Sequence, residues 1–357
     1  MSRVESGRSL TRIAVVGAGS IGREHVRRIV GSSSCELASI TDSTESTAAL
    51  ADDLGVTHYA SLAELLANDR PDGVVIATPN QLHVEHATAC IEAGLPILLE
   101  KPVADSAARA EQLLAVAEAA GAVVLTGHHR THSPHVRVAV EAVRSGLLGQ
   151  VVGVTGTALF CKPDDYFAQA WRREPGGGPI LLNLIHEVHS LRMLCGEIVA
   201  VEAVTANQAR GFAVEDTAAI ILVFASGALG TFLLSDSAGS GRSWEQTSGE
   251  NPHYASYPDE DCYHVAGTLG SLSVPTMRVS RIADPVARSW FEPMERSTLE
   301  VVPADPLALQ LEHFGAVVRG EVEPLCTLRD GVMNVRIVEA IHESAATGRR
   351  IELGLVP

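Results

Sequence analysis

The sequence predicts an α/β protein of two domains, in which a doubly wound parallel sheet is followed by an α+β domain with a mostly antiparallel, open sheet. The chain of 357 residues is long enough for two domains of ordinary size. Over the first 127 residues, short apolar segments alternate with helical patterns, which is typical of a parallel sheet covered by helices on both faces. Farther along, strand-like segments follow one another with turns between several of them, which favours antiparallel pairing.

The first domain is predicted from runs such as Gly73–Ala77, which carry no charged side chain and fit a strand buried on both faces. Gly94 and Gly121 follow helical patterns, at the position where helices often end in a left-handed residue. The predicted strands cover Arg12–Val16, Glu36–Thr41, Gly73–Ala77, Pro96–Leu99 and Ala122–Thr126. The predicted helices cover Ile21–Val30, Thr44–Leu54, Leu62–Ala67, His83–Ala93 and Ser106–Ala120. We place the end of this domain at Gly127 and assign residues 128–357 to the second domain.

The second domain is predicted to begin with a helix over Pro134–Ser145 and to continue mainly as strands. The strands are expected at Val151–Leu159, Val199–Asn207, Ala218–Phe224 and Ala228–Leu234. The uncharged run Ala218–Leu234 is interrupted by Ser226-Gly227 and Gly230, which indicates a turn between two strands rather than a membrane span. Ser235–Asp261 is polar and rich in Gly and Ser, so it is predicted to be a long loop, and such loops are often functional.

Composition and charge argue against several classes of function. Lys and Arg number 27 against 43 Asp and Glu, a net charge of −16 that disfavours broad binding to nucleic acid or to anionic lipid. The 46% hydrophobic content supplies a large core, and the 4% aromatic content argues against a platform for stacking bases. Six dispersed cysteines without a C-x-x-C pair indicate small buried side chains rather than zinc ligands or disulfides. Since the polar segment Met1–Arg12 shows no signal peptide, we expect a cytoplasmic protein.

A dinucleotide-binding fingerprint, G-x-G-x-x-G, lies between the first predicted strand and the first helix, at Gly17-Ala18-Gly19-Ser20-Ile21-Gly22. Gly17 permits the tight turn, Gly19 lets a pyrophosphate approach the backbone, and Gly22 allows the helix to pack on the strand. The start of the helix, at Ser20 and Ile21, supplies amide donors to the phosphates. Asp42, twenty residues beyond Gly22, can accept hydrogen bonds from the adenosine ribose and would repel a 2′-phosphate. The fingerprint therefore predicts a Rossmann domain that binds NAD in preference to NADP.

Further motifs follow along the chain in a fixed order. They are T-P-N-x-x-H at Thr78–His83, E-K-P at Glu100–Pro102, G-H-H-R-x-H-S-P at Gly127–Pro134, W-R at Trp171-Arg172, G-G-G-(x)7-H at Gly176–His186, V-E-D-T at Val214–Thr217 and G-T-L-G-S-L at Gly267–Leu272. With the fingerprint, this set resembles the glucose-fructose oxidoreductase/inositol dehydrogenase/MocA (Gfo/Idh/MocA) family over nearly the whole chain. The resemblance is specific for the family and unspecific for the substrate, because sugars, inositols and dihydrodiols are all handled on this fold.

The resemblance implies roles for particular residues. Lys101 is expected to bind the substrate oxygen, and His186 to act as general acid and base. A histidine with a pKa near ~6.5 suits proton exchange near neutrality, and an ammonium group suits a developing negative charge. Further cofactor contacts are expected from Thr78, Pro79, Asn80, His83, Glu100, Lys101, Arg130, Trp171 and Arg172. The substrate is expected to meet His128, Asn183, His189 and Trp244 as well as Lys101 and His186.

One position departs from the family pattern. The family commonly carries a carboxylate four residues before the histidine, where this chain has Leu182, and an Asp where this chain has His189. Three interpretations remain open. Lys101 and His186 suffice; or Asn183 or His189 compensates, although on an α-helix Asn183 points about 100° away from residue 182; or dehydrogenase activity has been lost.

The sequence thus predicts an NAD-dependent oxidoreductase that moves a hydride between a secondary alcohol and nicotinamide, the substrate being a sugar, a cyclitol or a dihydrodiol. The alternative is a non-catalytic protein that senses the cofactor on the same fold. Arg130 and Arg172 could instead form surface salt bridges. The histidine clusters lack the H-E-x-x-H spacing, so no metal site is expected. Because the open face of the second sheet must be covered, we expect a homodimer or homotetramer.

Overall fold

The structure, a computed structural model, describes residues 10–286 and 288–354. The prediction that Met1–Arg12 holds no signal peptide concerns a segment whose first nine residues lie outside the described residues. The chain forms two compact units. Of the described residues, the first unit contains those up to His129 together with Leu307–Val332, and the second contains those from Arg130 to Pro306 and from Met333 onward. The return of residues 307–332 to the first unit was not foreseen by the single boundary at residue 127.

The first unit contains a sheet of six parallel strands, in the order β3-β2-β1-β4-β5-β6. The strands are β1 (Thr11–Val16), β2 (Cys35–Thr41), β3 (Thr57–Tyr59), β4 (Gly73–Ile76), β5 (Ile97–Leu99) and β6 (Val124–Thr126). The helices between them are α1 (Ser20–Val30), α2 (Glu45–Leu54), α3 (Leu62–Asn68), α4 (His83–Glu92) and α5 (Ala107–Ala120). This confirms the predicted Rossmann sheet, whose ligands bind where the strand order reverses, between β1 and β4.

The core of the first unit is completed by a helix from late in the chain. The central strands contribute Ile13, Val75 and Leu98, which are fully buried, and the late helix contributes Leu311 and Phe314 to the same cluster. β4 begins with Gly73, where the strand and the late helix touch. A Cβ on Gly73 would lie only 3.0 Å from the Phe314 ring. The predicted α/β alternation is therefore correct, but it omits the last layer of this core.

The second unit is built on a mixed sheet of nine strands, in the order β14-β13-β12-β11-β7-β10-β9-β8-β15. Its strands are β7 (Val151–Leu159), β8 (Ile198–Ala206), β9 (Thr217–Phe224), β10 (Leu229–Ser235), β11 (Tyr263–Gly267), β12 (Gly270–Val274), β13 (Arg278–Ile282), β14 (Met294–Thr298) and β15 (Ile351–Glu352). The remaining helices are α6 (Pro134–Arg144), α7 (Ile185–Cys195), α8 (Trp244–Thr247), α9 (Pro306–Val318) and α10 (Leu328–Thr347). β7 and β10 pair in parallel and the other neighbours are antiparallel, which confirms the predicted fold class.

The uncharged run Ala218–Leu234 forms the antiparallel pair β9 and β10, as predicted, with a turn at Gly227, whose φ is 86°. Alternate side chains on β9 point into the core and away from it, so Ile220 is buried while Ile221 is exposed. Together with Val204 on β8 and Leu233 on β10, Ile221 forms an apolar outer face on the sheet. Among the described residues, no helix is both long and apolar enough to cross a membrane.

Candidate active site

The fingerprint loop has the geometry that its three glycines predict. Gly17 has a φ of 91°, and a Cβ there would lie 2.7 Å from the backbone of Ala77 and Thr78. A Cβ on Gly22 would lie 1.9 Å from the carbonyl oxygen of Gly17, so the helix can approach the turn only without a side chain. A Cβ on Gly19 would meet nothing within 4 Å. The backbone at Gly19 is therefore open to a ligand such as a pyrophosphate, at the N-terminus of α1.

Asp42, at the end of β2, holds this loop in place. Its Oδ2 accepts a hydrogen bond from the backbone N–H of Ala18 at 2.8 Å, and its Oδ1 accepts one from Thr44 at 3.0 Å. Burial alone would raise the pKa of this carboxyl, but these two backbone donors, together with the Thr44 side chain and the charge of Arg23, outweigh burial and hold the pKa below its usual range. A carboxylate has about four acceptor positions, so Asp42 can also accept from ribose hydroxyls.

His83 joins two of the strand-end segments that sequence analysis assigned to the cofactor. The side chain is buried, with its Nδ1 2.8 Å from the carbonyl oxygen of Pro102 and its Nε2 2.8 Å from that of Thr78. Burial lowers the pKa of the imidazole, against the opposing effect of the two carbonyls. The structure thus makes His83 a brace between the segment after β4 and the segment after β5. Pro79 is exposed and Asn80 half-buried on the first of these segments.

Glu100 positions the backbone of Lys101 at the end of β5. Glu100 is buried; its Oε1 lies 2.8 Å from Nε2 of His25 on α1, and its Oε2 accepts from the Lys101 N–H at 3.2 Å. Burial alone would raise the pKa of this carboxyl. The hydrogen bond and the charge of His25 lower the pKa, and the net result is a pKa below its usual value. Gly127 packs directly on this carboxylate, because a Cβ there would be 2.9 Å from Glu100 Cδ. His128, the next residue, is buried beside this segment of the first unit.

His25 is a residue that the sequence analysis missed. It follows Gly22 by three residues on α1 and so faces the same side of the helix, toward the sheet. Its partner lies 75 residues away, and no local pattern marks that pairing. Through His25, Glu100 and His83, the first unit brings the fingerprint helix and the two strand-end segments together around Lys101.

In the second unit, His186 lies in the first turn of α7 and is buried, 8% exposed. The next residue, Glu187, accepts a hydrogen bond from Arg130 NH1 at 2.6 Å and one from the hydroxyl of Tyr263. Arg130 NH2 also donates to Glu245 at 3.0 Å. We call Arg130, Glu187, Glu245, Tyr263 and Trp244 the Arg130 network; the last two stack with ring centroids 5.8 Å apart, and Arg130 lies over Trp244 at 5.4 Å.

This network changes the interpretation of two predicted contacts. Arg130 was expected to meet an anion of cofactor or substrate, or to form a surface salt bridge; its ion pairs are instead buried, with side-chain exposures of 5% for Arg130 and 2% for Glu187. Burial lowers the pKa of the guanidinium, but Glu187 and Glu245 outweigh it and raise the pKa above its usual value. Trp244, expected to shape the pocket, is 1% exposed and belongs to the interior of the unit.

His189 is likewise engaged within the second unit. Its Nε2 lies 2.7 Å from Thr131 Oγ1, and its Nδ1 lies 3.2 Å from the side-chain nitrogen of Asn334. Asn334 also accepts from Arg192 NH1 at 2.8 Å through its Oδ1. His189 was expected near the substrate; the structure makes it the link between α7 and the segment before α6, so its imidazole orients the helix that carries His186.

The turn before α7 corrects one assumption about Asn183. Residues Ile180–Leu184 are π-helical, with α7 beginning at Ile185. Because i→i+5 bonding widens the turn, the α-helical rotation of about 100° between residues 182 and 183 does not apply here. Asn183 is half-buried, and its Oδ1 has no hydrogen-bond partner among the described residues. A π-turn often marks a functional position, and this one sets the direction in which His186 enters the helix.

Trp171 and Arg172 lie in a short 3-10 helix, Ala170–Arg173, ahead of the glycine run. Trp171 is half-exposed, and its indole donates to Gln169 Oε1 at 2.9 Å. The Arg172 guanidinium lies 3.9 Å from the ring centroid of Tyr166 and donates to the Tyr166 carbonyl oxygen at 2.7 Å. Like Asn183 and His186, this pair of predicted residues lies outside the Arg130 network and the His189 contacts described above.

The first unit therefore has the fold and loop geometry of a nicotinamide-dinucleotide oxidoreductase. The model of an oxidoreductase family with an NAD-binding Rossmann fold matches residues 11–128, and that of the family's C-terminal alpha/beta domain matches residues 140–353. The chain belongs to the Gfo/Idh/MocA family of NAD(P)-dependent oxidoreductases, which confirms the resemblance drawn from its motifs.

Three relatives illustrate the range of this likeness. The 1,5-anhydro-D-fructose reductase of Ensifer adhaerens is 28% identical over 96% of this chain and 99% of its own length. The D-xylose 1-dehydrogenase (NADP(+)) 2 of Haloferax volcanii is 30% identical over 95% of this chain and 98% of its own length. The crystal structure of the aldose-aldose oxidoreductase from Caulobacter crescentus, complexed with glycerol, matches with a TM-score of 0.77 and 25% identity over 97% of this chain and 100% of that one.

Proposed function

We propose that this protein is an NAD-dependent dehydrogenase or reductase that interconverts a secondary alcohol and a ketone on a small polyhydroxylated molecule. The observation that carries the proposal is the open backbone at Gly19, between a turn that only Gly17 permits and a helix that only Gly22 lets approach. A nucleotide pyrophosphate fits that opening and the N-terminus of α1, at Ser20 and Ile21. When bound there, NAD supplies the acceptor or donor of a hydride.

The preference for NAD over NADP rests on Asp42. The lowered pKa of this carboxyl keeps it ionised at neutral pH, and its negative charge would face the 2′-phosphate of NADP. One relative is named for NADP(+), so the preference proposed here is argued from the residue at this position and not from the family as a whole. Asp42 remains fixed by the Ala18 and Thr44 amides, which makes its carboxylate a rigid rather than an adaptable acceptor.

His186 and Lys101 carry the proton chemistry in this proposal. As hydride leaves the carbinol carbon, the hydroxyl proton must be removed, and a histidine is suited to accept it near neutral pH. The Lys101 ammonium donates to the same oxygen and stabilises its developing negative charge. The Glu100 and His25 pair fixes the backbone of Lys101, and the Arg130 network fixes α7 beside His186. Leu182 takes no part in proton transfer, because it carries no titratable group.

The substrate class proposed is a sugar, a cyclitol or a dihydrodiol-type ring. The relatives are named for anhydrofructose, xylose and aldoses, all of which present adjacent hydroxyls. The first unit would bind the nucleotide and the second the substrate, with Asn183 offering a half-buried amide oxygen as an acceptor for a hydroxyl. The apolar outer face of the second sheet, which includes Val204 at 71% exposure, would be covered in a homodimer or homotetramer. The six free cysteines agree with a cytoplasmic location.

The test is to compare wild type with Lys101→Ala and His186→Ala on a panel of sugars, inositols and dihydrodiols, with NAD and with NADP. Loss of the acid–base residue should lower kcat by about 10²–10⁴, and loss of the lysine by about 10²–10³, while NADH titrations show that the nucleotide still binds. Arg137→Ala, an exposed change on α6, serves as control. Unchanged kcat in both variants would remove the assigned roles. Binding of NADH without turnover of any compound would favour the cofactor-sensing alternative.

A further inference from the structure

Three basic side chains gather around two aromatic rings in the second unit. Lys162 Nζ lies 4.7 Å from the ring centroid of Tyr166, and the guanidinium carbon of Arg172 lies 3.9 Å from the same centroid. The guanidinium of Arg210 lies 4.2 Å from the ring centroid of Phe167. We call Lys162, Arg172 and Arg210 the basic cluster. The chain contains only two lysines, Lys101 and Lys162, so this cluster holds the one that the proposed chemistry does not use.

Two cations of the basic cluster share a single buried carboxylate. Asp236 is buried and serves two cations at once, since its Oδ2 lies 3.2 Å from Lys162 Nζ and its Oδ1 accepts from Arg210 Nε at 3.1 Å. Asp164, 3.9 Å from Arg210, is fully exposed and contributes little. A second buried carboxylate, Asp216, accepts from the Arg210 backbone N–H at 2.9 Å. Among the described residues, Asp236 is therefore the one buried carboxylate within 4 Å of the charged groups of the basic cluster. An excess of buried positive charge is unfavourable unless an anion accompanies it.

The pKa of Lys162 reflects its burial beside two other cations. Its side chain is 9% exposed, and burial lowers its pKa; Asp236 acts in the opposite direction, while Arg210 and Arg172 lower the pKa further. The net result is a pKa below the usual value for lysine. A second anion near Nζ would reverse that shift, because it favours the charged form.

Hydrogen-bond donors remain available on two members of the basic cluster. Arg210 is engaged through Nε with Asp236 and through NH2 with the Lys162 carbonyl oxygen at 2.9 Å. Arg172 uses NH1 on the Tyr166 carbonyl, and its Nε is buried without a hydrogen-bond partner among the described residues. The Lys162 ammonium group has three N–H donors, and Asp236 is its one carboxylate partner among the described residues. Lys162 Nζ lies 4.7 Å and the Arg172 guanidinium carbon 3.9 Å from the Tyr166 ring centroid, so these two atoms are at most 8.6 Å apart.

The basic cluster belongs to the same part of the second unit as His186. A Cβ on Gly177 would lie 2.7 Å from Arg172 Cα, so the Arg172 backbone packs on the glycine run that leads through the π-helical turn to His186. The chain and the packing at Gly177 therefore connect the basic cluster to the helix that carries the proposed acid and base.

We propose that the basic cluster binds an oxyanion carried by the substrate, so that the polyhydroxylated substrate is an acid. Lys162 and Arg172 donate charge-assisted hydrogen bonds to that group, and each of these cations lies against the Tyr166 ring. A carboxylate, as in a sugar acid or a hydroxylated ring acid, and a phosphate ester share this chemistry. The inference rests on the proposed function and narrows its substrate class.

The presence of only two lysines permits a direct test by amine labelling. The protein with NADH is treated briefly with acetic anhydride, and acetylation of Lys101 and Lys162 is measured by mass spectrometry of their separate peptides. The additions, at equal ionic strength, are D-glucuronate, D-glucose 6-phosphate, D-glucose and inorganic phosphate. We expect one or both anionic sugars to slow acetylation of Lys162 at least fivefold, with D-glucose leaving it unchanged. Which anionic sugar protects more strongly distinguishes a carboxylate from a phosphate substrate.

The outcomes separate this inference from the proposed function. Protection of Lys101 by D-glucose or an anionic sugar, with Lys162 labelled equally in every sample, upholds the proposed function and overturns the inference. Protection of neither lysine by any sugar counts against both. Equal protection of Lys162 by inorganic phosphate and by the anionic sugars identifies an adventitious ion only, and also overturns the inference.

A matched pair of variants supplies the second measurement. Lys162→Met removes one cation while Asp236 keeps its contact with Arg210, so the fold retains a partner for that carboxylate. We expect the affinity for the protecting anionic sugar, followed by its protection of Lys101, to fall at least tenfold, with NADH affinity unchanged. Arg137→Met, which removes an exposed cation of α6, should change neither. Equal affinities in wild type and Lys162→Met would overturn the inference.

Discussion

Alanine at Gly19 and alanine at Gly22 should affect different properties of the protein, although the two glycines are only three residues apart in the fingerprint. Gly19 has φ −67° and ψ −165°, which any residue adopts, and a Cβ there meets nothing within 4 Å. Gly22 has no room, since its Cβ would lie 1.9 Å from the Gly17 carbonyl oxygen. Gly19→Ala should therefore fold normally and bind NADH poorly, while Gly22→Ala should lose stability first.

The magnitudes follow from these distances. For Gly19→Ala, a gain of about 0.4–1 kcal/mol from the stiffer unfolded chain is offset by the poorer N-cap, so the free energy of unfolding should change by less than about 0.5 kcal/mol. Its methyl group would occupy the space of the pyrophosphate, and the Kd for NADH should rise at least about tenfold, or 1.4 kcal/mol. For Gly22→Ala, the overlap with backbone should cost about 3 kcal/mol, which lowers Tm by about 6–12 °C.

The assays are NADH fluorescence titration and thermal unfolding of each variant. Gly239→Ala is the matched control, because a Cβ there also meets nothing within 4 Å and it lies in a loop of the second unit. That variant should match wild type in both assays. The reasoning is refuted if Gly19→Ala binds NADH as wild type does, since the nucleotide would then lie elsewhere. It is equally refuted if Gly19→Ala is as unstable as Gly22→Ala.

Three further outcomes concern an ion pair, a carboxylate and a surface. Arg130→Met leaves the buried Glu187 carboxylate without its partner guanidinium, so the free energy of unfolding should fall by about 3–5 kcal/mol. The double variant with Glu187→Gln should regain part of that loss, and no recovery would contradict the ion-pair account. Because the pKa of Asp42 is lowered on folding, its carboxylate stabilises the fold above the unfolded pKa of ~3.9 and this contribution is lost as the pH falls through the folded pKa. Asp42→Asn should cost about 1 kcal/mol at neutral pH and less in acid, whereas an equal cost at every pH would be inconsistent with that origin. Light scattering at micromolar concentration should show a wild-type dimer or tetramer that Val204→Glu with Ile221→Glu dissociates; a monomeric wild type would exclude the interface.

The parts of the molecule that the sequence predicts well are those set by neighbouring residues. The fingerprint turn needs Gly17, Gly19 and Gly22 within six positions, and each glycine has the local geometry expected of it. The strands of the first sheet were recognisable because burial on both faces leaves an uninterrupted apolar run. β3 escaped notice because three residues, Thr57–Tyr59, are too few to show a pattern.

What could not be predicted depends on partners far apart in the chain. His189 looked like a pocket residue until Asn334, 145 positions later, proved to be its partner. Trp244 looked like a loop aromatic until its stacking on Tyr263 placed it in the interior. The π-helical turn before α7 has no local signature, because the same apolar residues serve i→i+4 and i→i+5 bonding. Lys162 had one sequence signal, the scarcity of lysine, and its meaning depends on Arg210 and Asp236.

The return of residues 307–332 to the first unit sets the order in which a newly made chain can mature. All six strands of the parallel sheet have been synthesised by Thr126, but the core beneath them also contains Leu311, Phe314 and Cys326. Residues 130–306, which number 177, separate the two parts, and at ~5–20 residues per second they take roughly 9–35 s to make. During that interval the nucleotide-binding sheet waits on the ribosome with an apolar face uncovered. A fragment ending at His129 would lack Leu311, Phe314 and Cys326 from its core, so the first unit needs the late segment of the chain to complete its folding.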